Sequence, residues 1–240
     1  MEAIRKLLGM FLRFIYDVLA STFSAEPESI SFFALSIIIA TIILKLVMVP
    51  VTVSQVRNQK KMAELQPELE KLQKKYKHDE KTLMVKQQQL YKDSNYNMLS
   101  GCLPMIVQLV ILMAFYRVFW EPAKYAFTDA KMFAEMNKNF FFIQNLEVVD
   151  KSMILGIIAA VTTFLTSYIT TKNPAQQTVQ NQQSQSMMSG MMVMMPLMIL
   201  WMSRTMQAAL VLYWTISNIF AIIQQLISNY IVAKNMEETK

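Results

Sequence analysis

Few of the residues that usually carry chemistry are present in this sequence. The chain of 240 residues has a single cysteine, Cys102, and a single histidine, His78. One cysteine cannot form a disulfide within the chain, and the two residues together cannot supply the ligands of a zinc site. We therefore expect no metal ion and no other cofactor.

Acidic residues are absent from the long apolar stretches. Hydrophobic residues make up 54% of the chain and charged residues 17%, and five stretches of roughly membrane length contain no aspartate or glutamate: residues 31–50, 98–119, 152–171, 187–203 and 207–229. A proton-coupled carrier or an aspartyl intramembrane protease ordinarily has a carboxylate at membrane depth, and a serine protease needs a histidine there. A phosphate-binding glycine loop is also missing. We expect no catalytic residues and no enzyme.

The apolar stretches that are present predict an all-α, multi-pass membrane protein. A helix needs about 20 mostly apolar residues to cross the hydrocarbon of a bilayer, so the five stretches predict five transmembrane helices. The fourth is the shortest and contains Pro196, which suggests an oblique crossing or a locally thinner bilayer. Only three residues separate the fourth stretch from the fifth, so we expect these two helices to form an antiparallel hairpin.

Residues 1–30, which precede the first predicted span, fit two interpretations. Apolar residues recur at helical spacing over Met1–Ser21, interrupted by Arg13 and Asp17 among other charges. This pattern favours an amphipathic helix lying in the membrane interface, followed by a loop. A signal peptide is the alternative, although Arg13 and Asp17 break the apolar core that it needs.

Basic residues are distributed unevenly between the loops. Residues 51–97 carry ten of the 23 lysines and arginines, whereas residues 120–151 carry four basic and five acidic residues. The positive-inside tendency therefore predicts that residues 51–97 are cytoplasmic, that the amino terminus is outside, and that the carboxyl-terminal tail, residues 230–240, is cytoplasmic. Three basic residues before the first span favour the opposite orientation.

Residues 51–97 also show a helical pattern. Apolar residues recur at steps of three, four or seven on both sides of a charged break at residues 77–79: Met62, Leu65, Leu69, Leu72, Tyr76, Leu83 and Leu90. Two amphipathic helices that fold back as a cytoplasmic hairpin fit this spacing. The hairpin is either a solvated connector or a docking surface for a partner or the membrane.

Lys45 is a cation well inside a predicted span. Lys45 is about two-thirds of the way along the first apolar stretch, and a buried ammonium needs water or oxygen partners. Polar side chains elsewhere in the spans, such as Gln108 and Asn218, either face a common cavity with Lys45 or simply pack the helices together. Lys45 could instead extend to the interface.

Methionine is concentrated in the fourth predicted span. Eight of the chain's 21 methionines lie there: Met187, Met188, Met191, Met192, Met194, Met195, Met198 and Met202. Flexible thioethers suit a surface that accepts many apolar partners. The alternative is a bias in lipid-facing composition without a functional role.

Three motifs resemble those of the YidC membrane-protein insertase family. They are MAELQPEL at residues 62–69, NMLSGCLPMIVQ at residues 97–108, and ALVLYWTISN at residues 209–218 followed by Gln224 and Gln225. Their order and spacing match over nearly the whole chain. No large extracytoplasmic domain separates an initial span from the core, so the sequence resembles the shorter form typical of Gram-positive and related bacteria. No cysteine precedes the first span, so the lipid anchor of many such proteins is not expected.

The resemblance implies an insertase of the bacterial cytoplasmic membrane that works without ATP, alone or with the Sec translocon. In this family a basic residue of the first core span lines a hydrophilic groove open to the cytoplasm and to lipid. The matching position is Lys45, where the family usually has arginine, so the charge is kept but the planar fork is lost. The residues expected to form the groove are Lys45, Thr41, Gln108, Thr162, Thr166, Trp214 and Asn218.

We expect the apolar helix of a substrate to be guided along the third and fifth spans, by Ile157, Phe164, Leu212 and Tyr213. The expected partners are nascent membrane proteins, the ribosome and the lipid bilayer, without recognition of a specific nucleic-acid sequence. A membrane chaperone or assembly scaffold that does not insert substrates by itself is the alternative. A small-solute carrier is a weaker alternative, because carriers often show internal repeats and this sequence has none.

Overall fold

The computed structural model describes residues 2–96, 103–171 and 182–237, and within these ranges the predicted all-α fold is confirmed. The only strand-like pairings there are isolated bridges, Ile30 with Phe140 and Phe140 with Ile143. The described helices are α1 (Glu2–Thr22), α2 (Phe32–Val47), α3 (Val49–Lys75), α4 (Glu80–Asp93), α5 (Leu103–Trp120), α6 (Pro122–Tyr125), α7 (Ala130–Glu135), α8 (Ile154–Thr171), α9 (Gln182–Met202) and α10 (Ala208–Glu237).

The number of helices that are long and apolar enough to cross a bilayer is smaller than the sequence predicts. By length and composition, Ala208–Ser228 within α10 meets this condition, and the bent pair Phe32–Val47 and Val49–Gln55 meets it if counted as one span. Ile106–Trp120, Ile154–Thr170 and Met192–Met202 are apolar but shorter. The count of five spans therefore remains a prediction.

The first predicted span ends earlier than Pro50. Ser31 caps the start of α2 by accepting a hydrogen bond from the Ala34 amide, and α2 stops at Val47. Pro50 lies in the first turn of α3, where the missing N–H costs nothing, and the chain bends by 48° between the two helices. Lys45 consequently lies in the last turn of α2, about 20 Å along the helix from its start.

Helix α1 packs into the bundle along one face. Leu8, Leu12 and Ile15 are buried against α2, α5 and α6, whereas Leu7 and Phe14 on the opposite face are exposed. Gly9 allows α1 to approach α6 closely, since a Cβ atom at this position would overlap the backbone carbonyl of Tyr125. A helix is thus present where the sequence predicts an amphipathic one, and its buried face is part of the core.

Loops tie together one end of the bundle, which we call the capped end (residues 22–31, 121–153 and 203–207). The buried Ser31 hydroxyl donates to the Asn139 carbonyl, and the Phe141 amide donates to the Ser29 carbonyl. The amides of Ala208 and Ala209 donate to carbonyls of the 146–148 loop. These bonds fix the starts of α2 and α10 at the same end.

Phenylalanines of the capped end divide between core and surface. The sequence suggests aromatics that dip into the membrane interface, and Phe141 and Phe142 are indeed exposed. Phe127 and Phe133 instead stack on each other inside the core, next to Phe33. Apolar residues in a charged segment can belong to either class, and sequence alone does not separate them.

Helix α8 lies between α9 and α10, which differs from the predicted hairpin of the last two spans. Both α9 and α10 pack along α8, and in the described part of the chain few contacts join them to each other. Gly156 near the start of α8 allows this packing, because a Cβ atom would overlap the side chain of Ser203 after α9. The five residues between α9 and α10 therefore connect helices on either side of a third.

The segment predicted to fold back as a hairpin contains α3 and α4, joined by a turn at residues 76–79. Asp79 caps α4, accepting from the amide and the hydroxyl of Thr82. Leu69 and Met62 are buried, but α4 has no buried residue, and Met84 and Val85 are exposed. His78 lies in the turn, as predicted. We call α3 and α4 together the hairpin, and the end of the bundle from which it leaves the hairpin end.

Candidate functional site

Lys45 is held by a chain of hydrogen bonds that joins three helices. Its Nζ donates to Gln108 Oε1 of α5 at 2.8 Å, and Gln108 Nε2 donates to the Tyr213 hydroxyl of α10 at 2.8 Å. The amide of Gln108 thus bridges the ammonium and the phenol. Lys45 forms no ion pair with any carboxylate of the described residues, so its charge has an oxygen partner but no counterion.

The side chains around this chain of hydrogen bonds pack tightly, while Lys45 and Gln108 themselves remain partly exposed. The gap between Lys45, Gln108 and Tyr213 is too small for a water molecule, and the residues that complete its lining are Thr41, Leu44, Met48, Ile111 and Ser217. Thr41 is buried and donates to the Ile37 carbonyl of its own helix, so in the structure it lines the site without a hydrogen bond to Lys45. Of the predicted groove residues, the structure brings together Lys45, Gln108 and Thr41.

The remaining predicted groove residues form a second polar cluster, between α8 and α10. Trp214 Nε1 lies 3.0 Å from Thr163 Oγ1, and the amide of Asn218 lies 2.8 Å from the same oxygen. Turning the Asn218 amide over also lets its oxygen accept from Trp214 and Thr163. Thr162 is beside Asn218, and Thr166 donates to the Thr162 carbonyl within α8. The predicted groove thus corresponds to two separate clusters.

The separation of the predicted groove into two clusters follows from helical geometry. Tyr213 and Trp214 are successive residues of α10, so their side chains point about 100° apart. Residues one turn further along repeat the division, because Ser217 lines the Lys45 site whereas Asn218 faces α8. Thr163, which the sequence analysis did not include in the groove, is the centre of the second cluster. Its signal in the sequence is weak, because hydroxyl residues are common in helix packing.

The four residues predicted to guide a substrate helix differ in their exposure. Ile157 and Phe164 lie on the exposed side of α8. Leu212 and Tyr213 are each 1% exposed, so they have no surface for a passing helix. Tyr213 contributes instead to the Lys45 site through its hydroxyl, a role not predicted for it.

An apolar cleft of about 310 Å³ opens between α5, α9 and α10. We call it the methionine cleft. Its walls are almost entirely apolar, and five thioethers contribute to them. The lining residues are Leu109, Leu112, Met113 and Tyr116 of α5; Met195, Met198, Ile199 and Met202 of α9; Ser203 and Met206 of the connection; and Leu210, Val211 and Trp214 of α10. The density of methionine in the fourth predicted span was the signal for this surface, but the sequence did not indicate its other two walls.

The Lys45 site and the methionine cleft lie on adjacent faces of the same two helices. On α5, Gln108 lines the Lys45 site and Leu109 lines the cleft. On α10, Tyr213 lines the Lys45 site and Trp214 lines the cleft. A charged site is therefore next to an apolar cleft. In the described residues no three His, Cys, Asp or Glu side chains are placed to hold a metal ion.

Comparisons with known proteins identify related chains. The family described as "60Kd inner membrane protein" matches residues 26–236. A protein of Listeria innocua named membrane protein insertase YidC 2 is 36% identical over 201 residues, which cover 82% of this chain and 64% of that protein. Proteins named membrane protein insertase YidC from Clostridium acetobutylicum and Fusobacterium nucleatum are 34% and 32% identical over 245 and 225 residues, covering 90% and 96% of their lengths.

Proposed function

Because the chain belongs to the YidC family of 60Kd inner membrane proteins, we propose that it is a membrane-protein insertase. In this proposal the Lys45 site receives the polar segment of a nascent membrane protein, and the methionine cleft receives its apolar helix. The helix then passes into the lipid. This chain spans 64% of the length of the Listeria relative but 90% of the Clostridium acetobutylicum relative.

The observation that carries the proposal is the uncompensated charge of Lys45. A cation inside a bundle is costly unless polar partners satisfy it, and here the partner is the neutral amide of Gln108. An acidic segment offers a better partner than an amide, since a carboxylate adds the attraction of its own charge to the hydrogen bond, and that attraction is stronger inside a bundle than in water. When such a segment binds, its carboxylate takes the place of the Gln108 amide on Lys45, whose side chain is partly exposed.

The position of the methionine cleft supports a route for the apolar helix. It borders the Lys45 site, so a polar segment at Lys45 places the adjoining helix beside the cleft. Each buried CH₂ group contributes about 0.8 kcal/mol, so transfer of the helix into lipid supplies the driving force and no ATP is needed. This route differs from the predicted one along the third and fifth spans, of whose four residues Ile157 and Phe164 are exposed but Leu212 and Tyr213 are buried.

The hairpin supplies the basic surface for the proposed cytoplasmic partners. Its segment carries ten of the 23 basic residues, which favours a cytoplasmic location for the hairpin end and an outer location for the capped end. A positive surface of this kind suits a ribosome that delivers the nascent chain. We propose cooperation with the Sec translocon as a second mode of action.

A second candidate function, a membrane chaperone without autonomous insertion, is favoured by the difference in free space between the two sites. The methionine cleft has about 310 Å³ of free space, whereas the gap around Lys45 is too small for a water molecule. A protein with only the cleft available would hold an apolar helix without moving a polar segment.

Site-specific photocrosslinking tests the proposed route in the reconstituted protein. Positions Met113 and Met198 in the cleft and Ile157 on α8 are 50%, 49% and 51% exposed, so they are matched in accessibility. A crosslinker at either cleft position should capture a single-span substrate during insertion, and one at Ile157 should not. Equal capture at all three positions would contradict a defined route. Protease protection of the outer tail in the same liposomes separates an insertase from a chaperone.

A further inference from the structure

The methionine cleft contains a group of oxidisable atoms that the insertase proposal does not use. Five of its lining residues are methionines, and Met113 and Met198 are about half exposed. The sulfur of a thioether is readily oxidised when it is accessible. The surrounding walls are apolar, so an apolar oxidant would concentrate there.

We propose that the methionine cleft is an oxidation site for organic hydroperoxides, at Met113, Met195 and Met198. A lone pair of the thioether sulfur attacks the terminal oxygen of the hydroperoxide, and an S–O bond forms as the O–O bond breaks. The departing alkoxide takes the proton of the hydroperoxide and leaves as an alcohol. The sulfur is oxidised by two electrons to a sulfoxide, and the hydroperoxide is reduced by two. Reductases that act on methionine sulfoxide reverse the change.

The expected consequence rests on the proposed function of the cleft. A sulfoxide is polar and chiral, whereas the cleft offers almost no polar group to pair with it. An apolar helix that enters an oxidised cleft must leave the sulfoxide oxygen without a partner, and this weakens its binding by about tenfold. Oxidation thereby lowers insertion until the sulfoxides are reduced.

Cumene hydroperoxide, which partitions into bilayers, provides the test on the full-length protein in liposomes. Peptide mass spectrometry gives the sulfoxide occupancy at each methionine, with hydrogen peroxide as the water-soluble comparison. A cleft variant carries Met113→Leu, Met195→Leu and Met198→Leu, which nearly preserve volume. A control variant carries Met10→Leu, Met84→Leu and Met194→Leu, three exposed residues that do not line the cleft.

With cumene hydroperoxide, sulfoxide should accumulate at the three cleft positions about threefold or more above Met84 of the hairpin. Treated wild type and control variant should lose capture of a single-span substrate at a crosslinker placed at Leu109, and reductase should restore it. After treatment, the cleft variant should capture as much substrate as it does before treatment.

If sulfoxide forms elsewhere and not at the three cleft methionines, the proposed oxidation site is wrong. If sulfoxide forms in the cleft but substrate capture does not fall, the proposed consequence of oxidation is wrong. Failure of untreated wild type to insert would count against the proposed function alone, since the sulfoxide map is read without substrate.

Discussion

At the scale of single residues, Lys45 depends on neighbours that come from other helices. Gln108 uses both ends of its amide, accepting from Lys45 and donating to Tyr213. Arginine has a planar fork that could engage two such partners at once, whereas an ammonium is a compact point charge on a flexible stem. A lysine at position 45 therefore keeps the attraction for acidic segments, and a single neutral acceptor is enough to hold its ammonium group.

Substitution of Gly9 tests the packing of α1 against the bundle. In Gly9→Ala the added methyl group overlaps the Tyr125 carbonyl, so α1 must move away from α6, at a cost of about 1–3 kcal/mol in stability. The melting temperature in detergent should fall. Gly190→Ala is the matched control, because nothing lies within 4 Å of its added atom and alanine favours helix. A Gly9→Ala protein as stable as the control would show that α1 does not pack as described.

Thr163 tests whether the second polar cluster stabilises the bundle. Thr163→Val removes the oxygen that the partly buried Trp214 and Asn218 contact, and loss of these hydrogen bonds should lower the unfolding free energy by about 0.5–1.5 kcal/mol. Thr41→Val is the matched control, since both threonines are buried and both donate to the carbonyl four residues before them. Titration with SDS measures the two variants. Equal losses would mean that the contacts between α8 and α10 contribute no more than those inside a helix.

At the scale of elements, the stability of the α4 cap depends on pH. The Thr82 hydroxyl, and then its amide, hold the pKa of Asp79 below its ordinary value. A lowered pKa means that the cap stabilises α4 above the unfolded pKa of about 3.9 and is lost as the pH falls through the folded value. Hydrogen exchange of the full-length protein, corrected for intrinsic rates, should show faster opening of residues 80–83 at pH 3 than at pH 6.

Substitutions of Asp79 distinguish loss of the cap from other effects of low pH on the protein. Asp79→Ala should increase exchange of the first turn of α4 at pH 6, whereas Asp79→Asn keeps an acceptor oxygen and should remain close to wild type. The Asn variant should also lose most of the pH dependence. If all three proteins exchange alike at both pH values, the Asp79 cap does not control the start of α4.

The helices themselves were largely predictable, because hydrophobic periodicity and membrane-length runs depend on local sequence. The fold class and the position of the turn at His78 follow from such patterns. The bend before Pro50 also has a local cause, but its position decides that Lys45 is in a last turn and not near the middle of a long helix. Counting apolar residues along the sequence does not locate a helix end to within three residues.

Which faces of the helices meet was less predictable. The polar residues of the predicted groove were identified by type, yet assignment to one cluster or two depends on the rotation of α10 between α2, α5 and α8. Leu212 and Tyr213 illustrate the same limit, since an apolar residue in a span can face lipid or core. The methionine cleft exists because α8, and not α10, lies against α9, and no local pattern encodes that order.

At the scale of the whole molecule, the capped end of the bundle is held by loops, whereas the hairpin end is less constrained. Hydrogen bonds between loops hold the starts of α2 and α10 at the capped end, while the hairpin contacts the bundle only sparsely. The Lys45 site and the methionine cleft share α5 and α10. In the proposed function, this adjacency allows the polar segment and the apolar helix to be received together.

The most direct test of the account measures insertion into liposomes that contain only this protein. Two single-span substrates would differ in whether their outer tail is acidic or neutral, and protease protection of the tail would report insertion. The variants are Lys45→Met and Lys45→Arg, with Lys86→Met on the exposed surface of α4 as the matched loss of charge. We predict that Lys45→Met lowers insertion of the acidic-tailed substrate by about tenfold, equivalent to 1.4 kcal/mol, and spares the neutral one. Lys45→Arg and Lys86→Met should insert both substrates. Wild-type levels of acidic-tail insertion by Lys45→Met would contradict the central role of this cation.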